Sequence, residues 1–484
     1  MKSATGLRIL ILALIVLAYA LAFQGSRGLF TTDEGRYSAV ALNMLERSDF
    51  ITPQLSHDVV HYTKPPLTYW AIAASVALFG ANEWAVRLPN ALAFALTVWL
   101  CFAIGKRLDR EHAGWAALIY ASMALPYLGA HWLNTDTLLT LFETLAALGF
   151  IAALLDAGRP LRQALLLWTA LGLAFLTKGP PGLLGIAALA IAAFTCPSLR
   201  PRLGRLGARW GWLLWLAIAA PWFVVLIVQH PGLLDYFLYD EVAARVLSDK
   251  HGRSPGLYGL ISVYLPTLLL GSLPWGVRLL GTLRRPWPSL ASLRNAPGLW
   301  LPLLWLTVPL LVFFLAQSRM PLYLLPLWVP LALLIARTLP SGPPSLSRGG
   351  WLLLGLWLAA LIALRGFAAH APMHTDDRQL AQVMREQGAD APELVFVEDS
   401  PRFGLRLYLG ANIERARINL ATTRYEQSLA DLLAEPPQCR TFVVKRSSEH
   451  NLQEAATHLG RPMQSLGAGT GRFHWYRATG DTCP

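Results

Sequence analysis

Eleven long apolar runs follow one another through the first three quarters of this sequence, and they constrain its fold more than any other feature. Each has roughly the 20 residues that a helix needs to cross a bilayer. With 54% hydrophobic and only 14% charged residues, the chain is predicted to be a polytopic α-helical membrane protein. The predicted spans are residues 9–23, 84–104, 113–131, 134–155, 161–177, 182–198, 210–228, 258–277, 299–316, 321–337 and 350–366.

The loops between these runs alternate in charge. Every second loop is enriched in Lys and Arg, as expected for loops on the cytoplasmic side. The net charge of +12 is therefore explained by topology, and we expect no nucleic-acid partner. With the N-terminus inside as a retained anchor, the opposite, periplasmic face receives Asp33, Glu34, Lys64, Asp136, Lys178, the 229–257 loop and Arg319. The basic loops contain Lys106, Arg107, Arg110, Arg159, Arg162, Arg200, Arg202, Arg205, Arg209, Arg278, Arg284, Arg285, Arg294, Arg337 and Arg348.

The first outer loop, residues 30–66, contains a predicted juxtamembrane helix. Thr31 and Glu34 have the spacing of a capping box, which marks a helix N-terminus. Apolar residues then recur with the period of one helix face: Tyr37, Val40, Ala41, Met44 and Leu45. Such a stripe is typical of a helix that lies on the membrane surface. The short apolar run 66–81 is predicted to be interfacial or re-entrant.

After about residue 366 the composition becomes polar, which predicts two domains, 1–366 in the membrane and 367–484 outside it. The second is predicted to be a small periplasmic α/β domain, with a helix over 376–387 and strands over 393–397, 441–445 and 471–477. Cys439 and Cys483 both lie in it, and a disulfide would form only in an oxidising compartment. Cys101 and Cys196, in apolar segments, are predicted to be packing residues.

Two charged residues next to apolar runs are candidates for a site. Asp136 begins a predicted span, and a carboxylate at that depth needs a cationic partner; alternatively it belongs to a helix N-cap with Thr135. Lys178 stands before Gly-Pro-Pro at the end of another span. Its ammonium is suited to binding a lipid phosphate, although simple snorkelling to the interface is an alternative.

Two outer loops add further candidates. His251 follows an acidic, helix-like stretch, and a lone His is usually structural. Arg319 lies between two spans, with Tyr323 one turn later, and an Arg can bind phosphate through two hydrogen bonds.

Several motifs together resemble a known family. The loop TTDEGRYSAVALNML, then HYTKPP, NTDTLL, LTKGPPG and SRMPLYLLPLW are similar to the bacterial branch of the dolichyl-phosphate-mannose protein mannosyltransferase superfamily. Within it, the resemblance is strongest to the aminoarabinose transferases that modify lipid A. It covers roughly residues 30–340. These family members have thirteen spans and a larger outer domain, so the count here is about eleven and up to thirteen.

The resemblance implies a GT-C glycosyltransferase. Such an enzyme takes a sugar from a polyprenyl (undecaprenyl) phosphate on the outer leaflet of the bacterial inner membrane and passes it to an acceptor. Its essential Asp corresponds to Asp33, so the predicted catalytic residues are Asp33, Glu34 and Asp136. The predicted substrate-binding residues, expected around the same cavity, are Arg36, Tyr37, Lys64, Lys178, His251, Arg319 and Tyr323.

The residues are suited to this chemistry. Cations such as Lys178 and Arg319 would stabilise the departing phosphate, and Asp33 could take the proton of an acceptor hydroxyl. A phosphate acceptor would need no deprotonation, and Asp33 would then position it. No cofactor is required, while a divalent metal ion at Asp33 and Asp136 is an alternative.

Three functions therefore compete. The first is sugar transfer from a polyprenyl phosphate to lipid A or a related glycolipid or glycan. The second is protein O-mannosyl transfer, because the protein O-mannosyltransferases and the bacterial branch share the Asp-Glu pair of the first outer loop. The third is lipid or sugar transport, for which inverted repeats and polar residues at mid-membrane depth would be expected.

Overall fold

The computed structural model describes residues 2–30, 32–57, 59–158, 160–243, 254, 256–282, 288–371, 375–418, 426–469, 472–481 and 483. Their contacts divide the chain into two compact units. The helical unit comprises Met1–Gln24, Thr63–Thr68 and Arg87–Arg365. The mixed unit comprises Gly25–Tyr62, Tyr69–Val86 and Gly366–Pro484, so most of the first outer loop belongs to the same unit as the C-terminal region.

Helices dominate both units. Short 3₁₀ turns cover Arg110–His112, Pro180–Leu183, Arg200–Leu206, Pro321–Leu327 and Arg446–Ser448, and π turns cover Tyr236–Ala243 and Leu260–Tyr264. The α-helices, numbered along the chain, are α1 (Lys2–Leu21), α2 (Asp33–Arg47), α3 (Leu67–Phe79), α4 (Glu83–Leu108), α5 (Ala113–Ser122), α6 (Ala124–Ala130), α7 (Asp136–Leu155), α8 (Pro160–Lys178), α9 (Leu184–Thr195), α10 (Ala208–Gln229), α11 (Leu233–Asp235), α12 (Gly256–Gly259), α13 (Leu265–Gly271), α14 (Val277–Thr282), α15 (Leu290–Arg294), α16 (Pro297–Leu315), α17 (Trp328–Ala336), α18 (Arg348–His370), α19 (Asp377–Glu386), α20 (Leu405–Leu409), α21 (Leu429–Ala434) and α22 (Glu449–His458).

Six helices in the described part of the chain are long and apolar enough to cross a membrane: α4, α7, α8, α10, α16 and α18. A bent pair, Arg110–Ser122 with Ala124–Ala130, raises that number to seven, its two halves meeting at 57°. Shorter apolar helices cover Leu10–Leu21, Leu67–Phe79, Pro180–Thr195, Leu260–Gly271 and Pro321–Ala336. The chain is thus a multi-pass membrane protein, and the larger number of eleven to thirteen crossings stays a prediction.

The core of the helical unit is built around α7. In its apolar window 72% of the residues are buried, against 17% in α18, so α7 is central and α18 peripheral. Large aromatic side chains fill the space between helices, among them Trp115, Trp305 and Trp328, each at most 1% exposed. Cys101 and Cys196 are buried in this core, which confirms that they are packing residues.

The mixed unit contains a six-stranded sheet in the order β3-β2-β1-β4-β6-β5. The neighbours β1–β2, β1–β4 and β2–β3 are parallel, while β4–β6 and β5–β6 are antiparallel. A disulfide joins Cys439, just before β4, to Cys483. The strands are β1 (Glu393–Val397), β2 (Asn412–Arg417), β3 (Gln427–Ser428), β4 (Arg440–Lys445), β5 (Met463–Ala468) and β6 (Phe473–Ala478).

Both faces of this sheet are covered. Successive side chains of a strand point to opposite faces, and in β1 Leu394 and Phe396 belong to one apolar cluster while Val395 and Val397 belong to the other. Helices α19 and α20 contribute to the first cluster, and α21 and α22 to the second. The C-terminal region is therefore an α/β/α sandwich, which confirms the predicted α/β class.

Helix α2 confirms the predicted helix in the first outer loop, while its capping box stays a prediction. The N-cap residue is Thr32, which makes no side-chain capping hydrogen bond; Thr31 lies outside the described residues. Glu34 accepts hydrogen bonds from Arg27 and from the backbone N–H of Phe30. The hydrogen bonds from Arg27, seven residues upstream, are charge-assisted and therefore strong.

Candidate active site

In the helical unit, Asp136 and Lys178 meet at one end of the α7–α8 pair. Asp136 is the first residue of α7 and Lys178 the last of α8. The Lys178 Nζ donates a hydrogen bond to Asp136 Oδ1, and both side chains are buried. The same Nζ lies 4.1 Å from the ring centroid of Tyr323. The structure therefore brings three predicted site residues into direct contact.

The turn before α7 leaves the Asp136 carboxylate available for this pair. Asn134 caps the helix, because its Oδ1 accepts a hydrogen bond of 2.8 Å from the Thr137 backbone N–H. Thr135 makes no side-chain capping bond. The N-cap alternative for Asp136 is therefore wrong, because Asn134 supplies the capping oxygen.

The position of Lys178 is fixed by the turn that ends α8. Gly179 follows with a φ of 70°, which a residue with a side chain rarely adopts. Its backbone N–H donates to Phe175 O over 2.6 Å, so the chain turns sharply after the lysine. Removing one member of a buried ion pair leaves an uncompensated charge and is costly. The position of the Lys178 ammonium is therefore fixed by Asp136 and by the turn at Gly179.

In the mixed unit, Asp33 and Arg36 form an ion pair one turn apart on α2, and each side chain is more than a quarter exposed. Neighbouring Glu34 is fully buried with Arg27, whose Nη1 and Nη2 lie 2.6 and 2.9 Å from its two carboxylate oxygens. The two adjacent carboxylates therefore differ in accessibility. Asp33 can meet a substrate, whereas Glu34 is engaged in holding the start of α2.

The comparisons with known proteins decide the family. A sequence profile described as dolichyl-phosphate-mannose-protein mannosyltransferase matches residues 63–227. Undecaprenyl phosphate-alpha-4-amino-4-deoxy-L-arabinose arabinosyl transferase 1 of Pseudomonas fluorescens is 32% identical over 385 residues, which is 76% of this chain and 67% of the relative. The chain belongs to the family of these arabinosyl transferases.

Other comparisons agree with it. Arabinosyl transferase 2 of Pseudomonas fluorescens is 33% identical over 344 residues, and the match covers 68% of this chain but only 56% of that relative's length. The crystal structure of ArnT from Cupriavidus metallidurans bound to undecaprenyl phosphate is similar with a TM-score of 0.77 at 19% identity, covering 98% of both chains. That likeness establishes the GT-C fold.

Three other residues were predicted to bind substrate from the family resemblance: Tyr37, Lys64 and His251. Tyr37 is buried and its ring centroid lies 5.8 Å from that of Tyr69. Lys64 is partly buried and its Nζ donates to the backbone oxygen of Thr63. Their substrate-binding roles stay predictions, and His251 lies outside the described residues.

Arg319 is occupied with backbone. Its Nη1 donates to the carbonyl oxygens of Ser254 and Gly256 at 3.1 and 2.9 Å, and its Nη2 donates to Phe314 O at 3.0 Å. It therefore joins the start of α12 to the end of α16. To bind a phosphate through two hydrogen bonds it would have to exchange these contacts, so its role as a clamp stays a prediction.

Sequence reasoning missed Glu143. This residue lies two turns beyond Asp136 on α7, is 5% exposed, and interacts electrostatically with Lys178 and Asp136. A Cβ added to Gly185 would lie 2.9 Å from both Glu143 Oε2 and Trp305 Nε1, so the two polar atoms flank that glycine. The signal was a Glu inside an apolar span, which by default indicates function.

The donor set for a metal ion is incomplete in the described part of the chain. No group of three or more His, Cys, Asp or Glu side chains there is close enough to hold an ion. Asp33 and Asp136 each have a cationic partner instead. The residues described therefore do not fit a dedicated metal centre.

Proposed function

We propose that this protein is a glycosyltransferase of the bacterial inner membrane that acts on the periplasmic side. It moves 4-amino-4-deoxy-L-arabinose from undecaprenyl phosphate to lipid A or a related envelope acceptor. The observation that carries the proposal is the Lys178 ammonium, held between the Asp136 carboxylate and the Tyr323 ring. The sugar and its carrier are those in the names of the relatives.

The donor half of the reaction needs a cation more than an acid. When the bond between the anomeric carbon and the phosphate oxygen breaks, the phosphate retains the electron pair and gains negative charge. Lys178 is suited to stabilise this charge because its position is already fixed and partly shielded from water. Lys64 and Arg319 are proposed as further contacts to the phosphate.

The acceptor half depends on Asp33. For a hydroxyl acceptor, the Asp33 carboxylate takes the proton as the new bond to the anomeric carbon forms. For a phosphate acceptor, which is already ionised, Asp33 and Arg36 position the nucleophile. Direct displacement inverts the anomeric centre in either case. Glu34 has a positioning role in this proposal, since Arg27 and Phe30 occupy its carboxylate.

Protein O-mannosyl transfer is the nearest alternative. The profile that matches residues 63–227 is described by that activity, whereas the similar full-length relatives are arabinosyl transferases. Transport of the lipid carrier is the alternative from another class. An acceptor panel in one assay separates the three.

The test is transfer from radiolabelled undecaprenyl-phosphate aminoarabinose by the purified full-length protein in detergent. Lipid A, a Ser/Thr-rich peptide and no acceptor are compared. We expect transfer to lipid A, with a loss of about 10²-fold or more in both Asp33→Asn and Lys178→Ala. Lys106→Ala is the matched control, since Lys106 is also a helix-terminal lysine near an aromatic ring, that of Phe102.

The outcomes are distinct. Transfer to the peptide alone would replace the proposal by protein glycosylation. Binding of the carrier without transfer to any acceptor, unchanged in Asp33→Asn, would favour transport. Equal activity in Lys178→Ala and Lys106→Ala would remove Lys178 from the mechanism.

A further inference from the structure

The segment that leads into α2 is bound by the C-terminal region of the mixed unit. The Leu29 backbone N–H donates to Tyr408 Oη over 2.8 Å, and the Leu29 carbonyl accepts from the Asp377 backbone N–H over 2.9 Å. Phe30 forms an antiparallel β-bridge with Asp376. Both backbone polar groups of Leu29, four residues before Asp33, are thus held by residues more than 300 positions later.

The first turn of α2 also touches this region directly. A Cβ added to Gly35 would lie 2.5 Å from the Gly404 backbone nitrogen, and one added to Gly404 would lie 2.2 Å from Asp377 Oδ2. Real Cβ atoms do not approach a backbone nitrogen this closely, so the contact requires glycine at position 35. A Cβ at position 404 would instead clash with the Asp377 side chain. Gly35 lies between Asp33 and Arg36 in the same turn.

Charged groups secure both ends of the helix. At its start, Arg27 holds Glu34, and the Asp377 carboxylate beneath Gly404 lies 3.0 Å from Arg402 Nε. At its end, Arg406 of α20 pairs with Glu46. Helix α2 is therefore fixed at its start and at its end by groups of the mixed unit.

We propose that the C-terminal α/β domain is a positioning element for catalysis: residues 376–408 fix the first turn of α2, and through it the Asp33 carboxylate. This inference rests on the proposed role of Asp33. A loop of such length would otherwise lose conformational entropy whenever the carboxylate was brought into place. A catalytic group misplaced by about 1 Å can cost about 10²-fold in rate.

The test removes one hydroxyl at a time from the same domain. Tyr408→Phe deletes the acceptor for the Leu29 N–H, whereas the control Tyr476→Phe deletes the hydroxyl that donates to Glu449, the first residue of α22. We expect Tyr408→Phe to lower kcat about 10-fold and Gly404→Ala to lower it about 10²-fold. KM for the undecaprenyl-phosphate sugar and binding of undecaprenyl phosphate should stay unchanged in both, because Lys178 lies in the helical unit.

Exchanging the charges of the Glu46–Arg406 ion pair tests whether a lost kcat can be restored. Glu46→Arg and Arg406→Glu should each lower kcat, and the double variant should recover part of the loss, which general destabilisation would not do. The inference is overturned if Tyr408→Phe matches Tyr476→Phe while Asp33→Asn is inactive. It is also overturned, together with the role proposed for Asp33, if Asp33→Asn keeps the wild-type kcat.

Discussion

Two acidic residues at opposite ends of α7 show how position decides the use of a carboxylate. Asp136 is buried with Lys178, while Asp156, the C-cap residue, pairs with Arg107 at 3.0 Å and is more than a quarter exposed. Exposed pairs contribute little because water screens them. A buried pair orients its members at a cost in desolvation, which suits the phosphate-binding role proposed for Lys178.

The same Asp→Asn change is therefore expected to have different effects on activity at the two ends of α7. Asp136→Asn leaves the Lys178 ammonium without its carboxylate, so we expect transfer activity to fall about 10²-fold. Asp156→Asn should leave it within a factor of about 2, since a surface pair is worth at most about 1 kcal/mol. The measurement is the transfer rate of the two purified variants, and equal losses would contradict the assignment.

Asp377 predicts a pH dependence of stability. Burial raises its pKa to about 7 from 3.8, although Arg402 opposes the shift. Between these values the folded protein retains a proton that the unfolded chain has lost. This contribution to the free energy of unfolding is therefore full at low pH and is lost as pH rises through the folded pKa.

We expect the thermal midpoint of the full-length protein in detergent to fall from about pH 5 to about pH 8, and to fall less in Asp377→Asn, which resembles the protonated acid. Intrinsic fluorescence during heating measures both. Parallel curves for the two proteins would show that Asp377 titrates normally.

At the scale of elements, the helices of the membrane part were the easiest to predict. The thickness of the bilayer sets the length of their apolar runs, so these helices can be predicted without knowing which helices they pack against. In the α/β domain, β1 reads as ELVFV, a strand buried at all but its first residue, and was predicted at its observed bounds. Strand β2 reads as NIERAR and was missed, because its charges find ion pairs, such as Arg417 with Glu398, only in the folded domain.

The site followed the same division. Topology predicts that Asp136 and Lys178 lie on or near the same face of the membrane. Their direct contact spans 42 positions and depends on how α7 packs on α8. Arg27 was missed as the partner of Glu34, because no local sequence pattern indicates which carboxylate a basic residue in a loop will pair with. Contacts between distant segments, rather than local patterns, determine such pairs.

Helix α9 gives a prediction through its packing on Glu143. In Gly185→Ala the new Cβ would lie 2.9 Å from Glu143 Oε2 and Trp305 Nε1, so we expect a loss of about 1–3 kcal/mol in stability from overpacking. Gly355→Ala in α18 is the control, because its Cβ would meet nothing within 4 Å. Thermal midpoints of the two variants in detergent measure the effect, and equal midpoints would show that the interior at Gly185 adapts freely.

At the scale of the whole molecule, the two units are interleaved along the chain. Residues 25–62 and 69–86 belong with 366–484, and the helical unit occupies the sequence before and between these segments. The α/β domain is thus not an independent appendage, because the first outer loop completes it. The Cys439–Cys483 disulfide then joins the segment before β4 to a residue beyond β6.

This interleaving has a consequence for biosynthesis. Chains are made from the N-terminus and their parts fold as they emerge, so Asp33 is translated early, yet Tyr408 and Gly404, which hold its helix, come more than 350 residues later. A nascent or prematurely terminated chain would therefore display Lys64 and Lys178, the lysines proposed to bind the substrate, before the Asp33 carboxylate was held in place. With Asp33 in its proposed catalytic role, the order of translation itself would keep an unfinished enzyme inactive.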